Sequence, residues 1–276
     1  MKTAVIVTTY NRPDALKLVL AGFAAQLDAE FELLIADDGS TEETTGVIQE
    51  FCRSVPFSVR HVWQEDDGFR AAAIRNQAVL ETDADYLVFT DGDCVPMPGF
   101  VAAHARLAEQ GCFLAGNRLL LDEAITARVV AAQTPIYQWS RADWQTAKRS
   151  GEVNRLAPLY ELTLPGWLRK IRPQRWQGAK TCNLSLWRQD FVRVNGFDER
   201  YCGWGLEDSD LVIRLIRAGL RHKTARFAAP VAHLWHREFD RAGLPENRAR
   251  LASLQTTSGI RATVGLDRHA VARARE

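Results

Sequence analysis

The sequence predicts an α/β fold with a mainly parallel central sheet flanked by helices, and three observations predict it. Strand-like apolar runs alternate with segments of helical period through about the first 120 residues, the pattern of βαβ units. Three of the strand-like runs end abruptly in polar residues, which a parallel sheet gathers at one edge. Finally, 276 residues with 46% apolar content can bury one sizeable core.

The elements follow in order. Val5-Ile6-Val7 reads as a strand, and Leu16, Leu20, Phe23 and Leu27 then recur at helical spacing, with Asn11 as a candidate cap and Pro13 in the first turn. "FELLIA" is a second strand. "STEETTGVIQEF" opens like a helix capped by Ser40 or Thr41 ahead of Glu42 and Glu43, and "FSVRHVW" is a third strand. "AAAIRNQAVLE" is helical and "DYLVFT" is the fourth strand. From Ala124 to Gln177 the rhythm is lost. Trp139, Trp144, Trp167 and Trp176 stand there among many basic residues, either as packed rings with solvated cations or as an acceptor- or membrane-facing surface. Order returns at "AKTCNLSLWR", and the Arg- and Ala-rich chain from Glu246 reads as a helical tail that frays at its end.

Composition excludes several classes. A net charge of +1 with 25% charged residues argues against a general polyanion binder, so no nucleic-acid partner is expected. Five cysteines, widely spaced and without a CxxC pair, imply neither a disulfide framework nor a cysteine zinc site, and fit a reducing cytoplasm. The first residues read as a strand rather than a signal peptide, and no apolar run approaches the roughly 18 to 20 residues that cross a bilayer.

Chemistry gathers at three places. In "DGDC", Asp91 and Asp93 flank Gly92; in an extended segment both carboxylates project to one side and suit a hard divalent cation, although a turn ending a strand has the same composition. "GWGLEDSD" sets Glu207, Asp208 and Asp210 at the start of a helix. Acids favour helix N-termini as caps, but there the macrodipole also keeps a carboxylate ionised as a general base requires, and Gly203 and Gly205 suggest a loop bent around a ligand with Trp204 as its flat platform. "HLWH" offers His233 and His236 on one face of a turn as metal ligands.

These residues resemble those of family 2 glycosyltransferases of the GT-A fold. "VIVTTYNRP", "IADDGST" and "FTDGDCVP" match that family in order and spacing, and "NGFDERYCGWGLEDSDLVIRL" resembles the C-terminal motif shared by β-1,4-galactosyltransferases and polypeptide N-acetylgalactosaminyltransferases. The resemblance implies a nucleotide pocket lined by Thr8 and the backbone near Tyr10, with Arg12 and Arg70 close by and Asp38 accepting from the base. It implies a divalent ion, Mn²⁺ or Mg²⁺, on Asp93 and His236 with Asp91 and His233, and a catalytic base at Asp208. Glu207 then holds the acceptor or the donor sugar, with Trp204 and Gly205 in the sugar site. The implied activity is inverting transfer from a nucleotide-diphospho-sugar to a hydroxyl of a saccharide or glycolipid. UDP is favoured because an aspartate suits the uracil N3–H, although guanine also offers a ring N–H.

By family analogy the setting is bacterial cell-surface polysaccharide or lipopolysaccharide synthesis, with the protein cytoplasmic or peripheral at the inner face of the membrane. Residues 1–120 form the donor half, 121–245 the acceptor and catalytic half of the same domain, and 246–276 the tail. The Trp-rich middle matches nothing in the family. Without long apolar spans, a single addition is expected rather than processive synthesis. Three other readings compete: a non-catalytic sugar-nucleotide- or carbohydrate-binding protein of the same fold, a sugar nucleotidyltransferase, and a metal-dependent hydrolase. The nucleotidyltransferase calls for a Gly-rich loop after the first strand, where this chain has "TTYNRPDA".

Overall fold

The computed structural model describes residues 1–27, 30–160, 162–237 and 240–273. Four strands, β1 (Thr3–Thr9), β2 (Phe31–Asp37), β3 (Val59–Trp63) and β4 (Tyr86–Asp91), run parallel in the order β3-β2-β1-β4. Between them lie α1 (Pro13–Ala24), α2 (Glu42–Ser54) and α3 (Ala71–Leu80). Both faces of the sheet are covered, which explains why β1, β2 and β4 are apolar runs rather than alternating ones. The alternation survives in which helices each side chain meets. Val5, Val7, Leu33, Ile35 and Val88 pack with α1 and α2, while Ala4, Ile6, Leu34, Ala36, Leu87 and Phe89 pack with α3.

The remaining strands are β5 (Cys94–Pro96), β6 (Cys112–Ala115), β7 (Asn117–Leu120), β8 (Leu184–Trp187), β9 (Arg221–Thr224) and β10 (Pro230–His233). The large sheet has seven strands, β3-β2-β1-β4-β8-β6-β9; β8 is antiparallel to β4 and β6, so the predicted parallel sheet is mixed on this side. A second sheet, β5-β10-β7, pairs His233 with Cys94 across an antiparallel register. That register matters most for the site, because it brings "HLWH" beside "DGDC". The strand order turns at β1, whose Thr8 pairs with Asp91 of β4 and whose Thr9 pairs with Asp37 of β2. A crevice opens there beyond the carboxyl ends.

The other helices are α4 (Phe100–Leu107), α5 (Glu123–Ala131), α6 (Arg141–Arg149), α7 (Arg188–Arg193), α8 (Glu207–Arg217), α9 (Leu244–Thr256) and α10 (Leu266–Arg273). The Trp-rich middle therefore holds helices that its pattern concealed. In α6 only Trp144 and Ala147 are buried, too thin a stripe to show a period, and Trp144 packs edge-on against Trp139 with centroids 4.9 Å apart. The tail is two helices rather than one, and its last residues, 274–276, lie outside the described ones. No helix among the described residues is long and apolar enough to cross a membrane.

Three local expectations differ from the structure. The expected cap of α2 by Ser40 or Thr41 is not made: the helix starts after Thr41 with no side-chain cap. The first helix stops at Ala24, and Leu27 is 81% exposed, because the Gln26 amide donates to Gly22 and Met97 carbonyls and Leu27 N–H donates to Pro98 O. Asn11 does not cap α1: at φ 45° its Oδ1 accepts from Thr41 N–H, while its own N–H donates to Ser40 Oγ. These two bonds latch the loop after β1 to the loop after β2. The latter turns at Gly39, where φ is 94° and an added Cβ would sit 2.5 Å from Asp66 Cα. Gly39→Ala is expected to cost about 2–4 kcal/mol in urea unfolding, from a backbone clash and a left-handed φ together.

Candidate active site

The polar ends of β1, β2, β4 and β10 and the N-terminus of α8 enclose a cavity of about 460 Å³, a size suited to a small ligand. Thr8, Tyr10, Arg12 and Asp38 line one side of it. Asp38 is held in place by donors from Gln64 Nε2 at 2.5 Å and Arg70 N–H at 2.7 Å, and burial pushes its carboxyl up. Tyr10 donates its hydroxyl to Asp66, 2.9 Å away. The Arg70 side chain is not part of this wall. Its guanidinium turns to Glu65 O and Asp67, drawn by the acidic loop that precedes α3.

Arg75 stands where Arg70 was expected. It is 4% exposed and donates from Nε to Thr8 Oγ1 at 2.8 Å, from Nη1 to Glu207 at 3.1 Å and from Nη2 to Asp91 at 3.2 Å. One guanidinium thus ties β1, β4 and α8 together. The signal was present in the sequence: in "RAAAIRNQA", Arg75 shares the buried helical face with Ala71, Ala72 and Ala78.

The two carboxylates of "DGDC" do not project side by side. Asp91 ends β4, and Gly92 and Asp93 turn, since Gly92 N–H donates to Thr8 O and an added Cβ would meet Thr9 Oγ1 at 2.9 Å. Asp91 consequently faces Arg75, and burial raises its carboxyl to about 6 against the pull of that cation. Asp93 faces the histidines: Oδ1 lies 3.7 Å from His233 Nε2 and Oδ2 lies 3.4 Å from His236 Nε2. His236 Nδ1 lies 2.8 Å from Arg237 O; a proton donated there leaves Nε2 with its lone pair towards Asp93. Burial holds His233 below its ordinary pKa, with Asp93 opposing, so its ring is neutral and able to ligate.

Ligand atoms of Asp93, Cys94 and His233 lie within 4.8 Å of one another, and His236 Nε2 approaches the second oxygen of Asp93, which Arg12 Nη1 also faces at 4.0 Å; a divalent ion that accepts mixed ligands fits Asp93 and His233, with His236 joining through Asp93 Oδ2. Cys94 Sγ, 3.6 Å from Asp93 Oδ1, stands beside the set. Asp91, Cys94 and Cys182 form a second cluster, but Arg75 on Asp91 and Arg118 3.6 Å from Cys182 Sγ place two cations against it.

The start of α8 also lines the cavity. Gly203 at φ 72° and Gly205 at φ 103° turn the loop, and Leu206 at φ 80° completes the bend at a backbone cost of about 1–3 kcal/mol. Asn247 of α9, buried and unnoticed in the sequence, pins the bend by donating to Cys202 O and Gly205 O. Trp204 presents its ring to the cavity with Arg241 5.0 Å from its centroid. Glu207 is raised by burial and by the neighbouring charge of Asp208, with Arg75 pulling down. Asp208 Oδ1 accepts from Ser209 N–H at 2.6 Å, and Oδ2 lies 3.1 Å from Lys180 Nζ on the cavity wall.

Comparison with known proteins identifies the family and the fold. Residues 4–180 match the family described as glycosyl transferase family 2, and residues 169–237 match the one described as the N-terminal domain of galactosyltransferase. A validoxylamine A glucosyltransferase from Streptomyces hygroscopicus subsp. jinggangensis is 30% identical over 236 residues, covering 81% of this chain and 53% of the relative. A hyaluronan synthase from Pasteurella multocida is 28% identical over 232 residues, 80% of this chain and 23% of that one. The chain spans about half the length, or less, of these relatives.

Among solved structures, S. aureus TarS 1–349 in complex with UDP superposes with a TM-score of 0.62 at 14% identity, over 97% of this chain and 68% of that one. The mannosyltransferase PcManGT from Pyrobaculum calidifontis, in complex with GDP-Man and Mn²⁺, gives 0.58 at 15% identity, over 93% and 70%. These likenesses establish the GT-A fold. With the family match along most of the first two thirds of the chain and a galactosyltransferase-like region after it, the chain belongs to glycosyl transferase family 2.

Proposed function

We propose that the protein transfers a sugar, with inversion, from a nucleotide-diphospho-sugar to a hydroxyl of a saccharide or glycolipid acceptor. The observation that carries this reading is that one cavity is lined both by Asp93 with His233 and His236 and by Glu207 with Asp208, the two sets linked through Arg75 between Asp91 and Glu207. When bound, a divalent ion on the first set supplies Lewis-acid stabilisation to the diphosphate leaving group. Two imidazoles in the set favour Mn²⁺ over Mg²⁺, which prefers an all-oxygen shell.

In the second set, Asp208 takes the acceptor's proton at Oδ2, since Oδ1 is held by Ser209 N–H. Lys180, 3.1 Å from Oδ2 and 45% exposed, has to swing aside before the acceptor hydroxyl arrives. Glu207, fixed by Arg75, holds a sugar hydroxyl, and Trp204 carries the face of the ring. Residues up to about 120 serve the donor, and the following ones serve the acceptor and also bring His233 and His236 to Asp93 on the donor side. A UDP-sugar suits Asp38, whose direction is set by Gln64 and Arg70 N–H and whose oxygens each keep a lone pair for a base N–H. A setting in cell-surface glycan synthesis, with a lipid-linked acceptor, rests on the family resemblance alone.

Isothermal titration with UDP-, GDP- and CMP-sugars, in Mn²⁺ and then in EDTA, tests the reading. UDP-sugars are expected to bind only with Mn²⁺, and His236→Ala to weaken Mn²⁺ binding at least roughly tenfold. Equal binding in EDTA removes the metal assignment. If none of the sugar nucleotides binds in either condition, the transferase reading fails.

A further inference from the structure

Four large apolar side chains crowd the surface of one short stretch: Tyr160, Leu162, Trp167 and Ile171 are 47%, 49%, 70% and 65% exposed. The base of this loop is firmly held. The buried guanidinium of Arg169 donates to the carbonyls of Thr224, Arg226 and Leu162, and Leu162 N–H donates to Phe227 O. The apolar side chains are therefore presented outward by a fixed frame, where they lose the stabilisation that burial gives.

Charge completes the pattern. Glu161 is the one acid in sequence between Tyr160 and Gln189, against Arg169, Lys170, Arg172, Arg175, Lys180 and Arg188. Lys170 is bonded to Glu109 and Lys180 to Asp208. Arg172 and Arg175 are exposed and form no ion pair among the described residues.

We infer that this loop docks the protein on an anionic lipid surface. Tyr160 and Trp167 have the amphipathic rings that sit at headgroup depth, Leu162 and Ile171 reach the acyl boundary, and Arg172 and Arg175 meet lipid phosphates. A glycan would use the flat faces of the rings and leave the two aliphatic side chains idle. The same run continues in sequence into Lys180, Thr181 and Cys182, which line the cavity. The inference stands whether or not the cavity transfers sugar.

Sedimentation of the full chain with lipid vesicles tests it. The protein is expected to pellet with phosphatidylcholine vesicles containing about 30% phosphatidylglycerol, to remain soluble with phosphatidylcholine alone, and to be released by salt. Arg172→Gln with Arg175→Gln should weaken binding roughly tenfold or more, and Trp167→Ser with Ile171→Ser by a similar factor. All four side chains are exposed, so unfolding curves should not change. Failure to bind anionic vesicles, or undiminished binding by both variants, overturns the inference. Trp167-dependent retention on an immobilised glycan without vesicle binding assigns the loop to glycans and overturns it equally.

Discussion

Asp208→Asn is expected to lower turnover by roughly 10²–10⁴-fold, the usual contribution of a general base, while donor affinity changes by no more than about twofold. Asparagine keeps the shape of the side chain and leaves the Ser209 N–H a carbonyl to donate to, so the start of α8 should not move. What it loses is the acceptor for the hydroxyl proton. The Lys180 contact goes too, but that lysine is 45% exposed, so the ion pair contributes less than about 1 kcal/mol to stability. Sugar-nucleotide consumption with acceptor present, set beside donor titration, makes the measurement. A binding protein of the same fold has no turnover to lose and would show neither activity nor a difference; a residue that merely shapes the loop would lose affinity together with rate.

How far the sequence carried depends on the distance over which each fact is decided. The ends of β1, β2 and β4 were legible because a run of apolar residues stopping at Thr8, Asp37 or Asp91 is a local pattern, and parallel pairing aligns such ends. The meeting of Asp93 with His233 and His236 is decided by the register of β10 on β5, between segments far apart in the chain, and only the resemblance supplied it. Arg75 went unnoticed because its place is set by helical phase: Arg70 precedes α3 and follows an acidic loop, while Arg75 is buried with Ala71, Ala72 and Ala78. An extended "DGD" failed because close contact with Thr8 and Thr9 turns the chain at Gly92. The antiparallel β8 was hidden for another reason. It is four residues long and arrives after the middle segment, so no periodicity distinguishes its direction.

Arg75→Met is expected to destabilise the fold by about 3–5 kcal/mol, and by the smaller figure if water reaches the freed carboxylates from the cavity. Methionine fills much of the same volume and can keep the contact with Phe197, so the loss isolates charge from packing. Without the guanidinium, Asp91 and Glu207 remain at the junction of β4 and α8 with no cation between them. The pH dependence identifies the cause. In the folded protein the Glu207 carboxyl lies above its ordinary value, so the folded state binds more protons than the unfolded chain just above the ordinary glutamate range. Its contribution to stability is fully present below the unfolded pKa and is lost as pH rises through the folded one. Removing Arg75 removes the downward pull, moves the folded-state carboxyl further up and widens that window. Urea unfolding should therefore show a penalty that is small near pH 5 and grows towards pH 8, because protonation relieves at low pH what Arg75 relieves in the native protein. A penalty that is the same at both values would mean that Arg75 acts through its packing and hydrogen bond to Thr8 alone, and that the two sets of cavity residues are joined by shape rather than by charge.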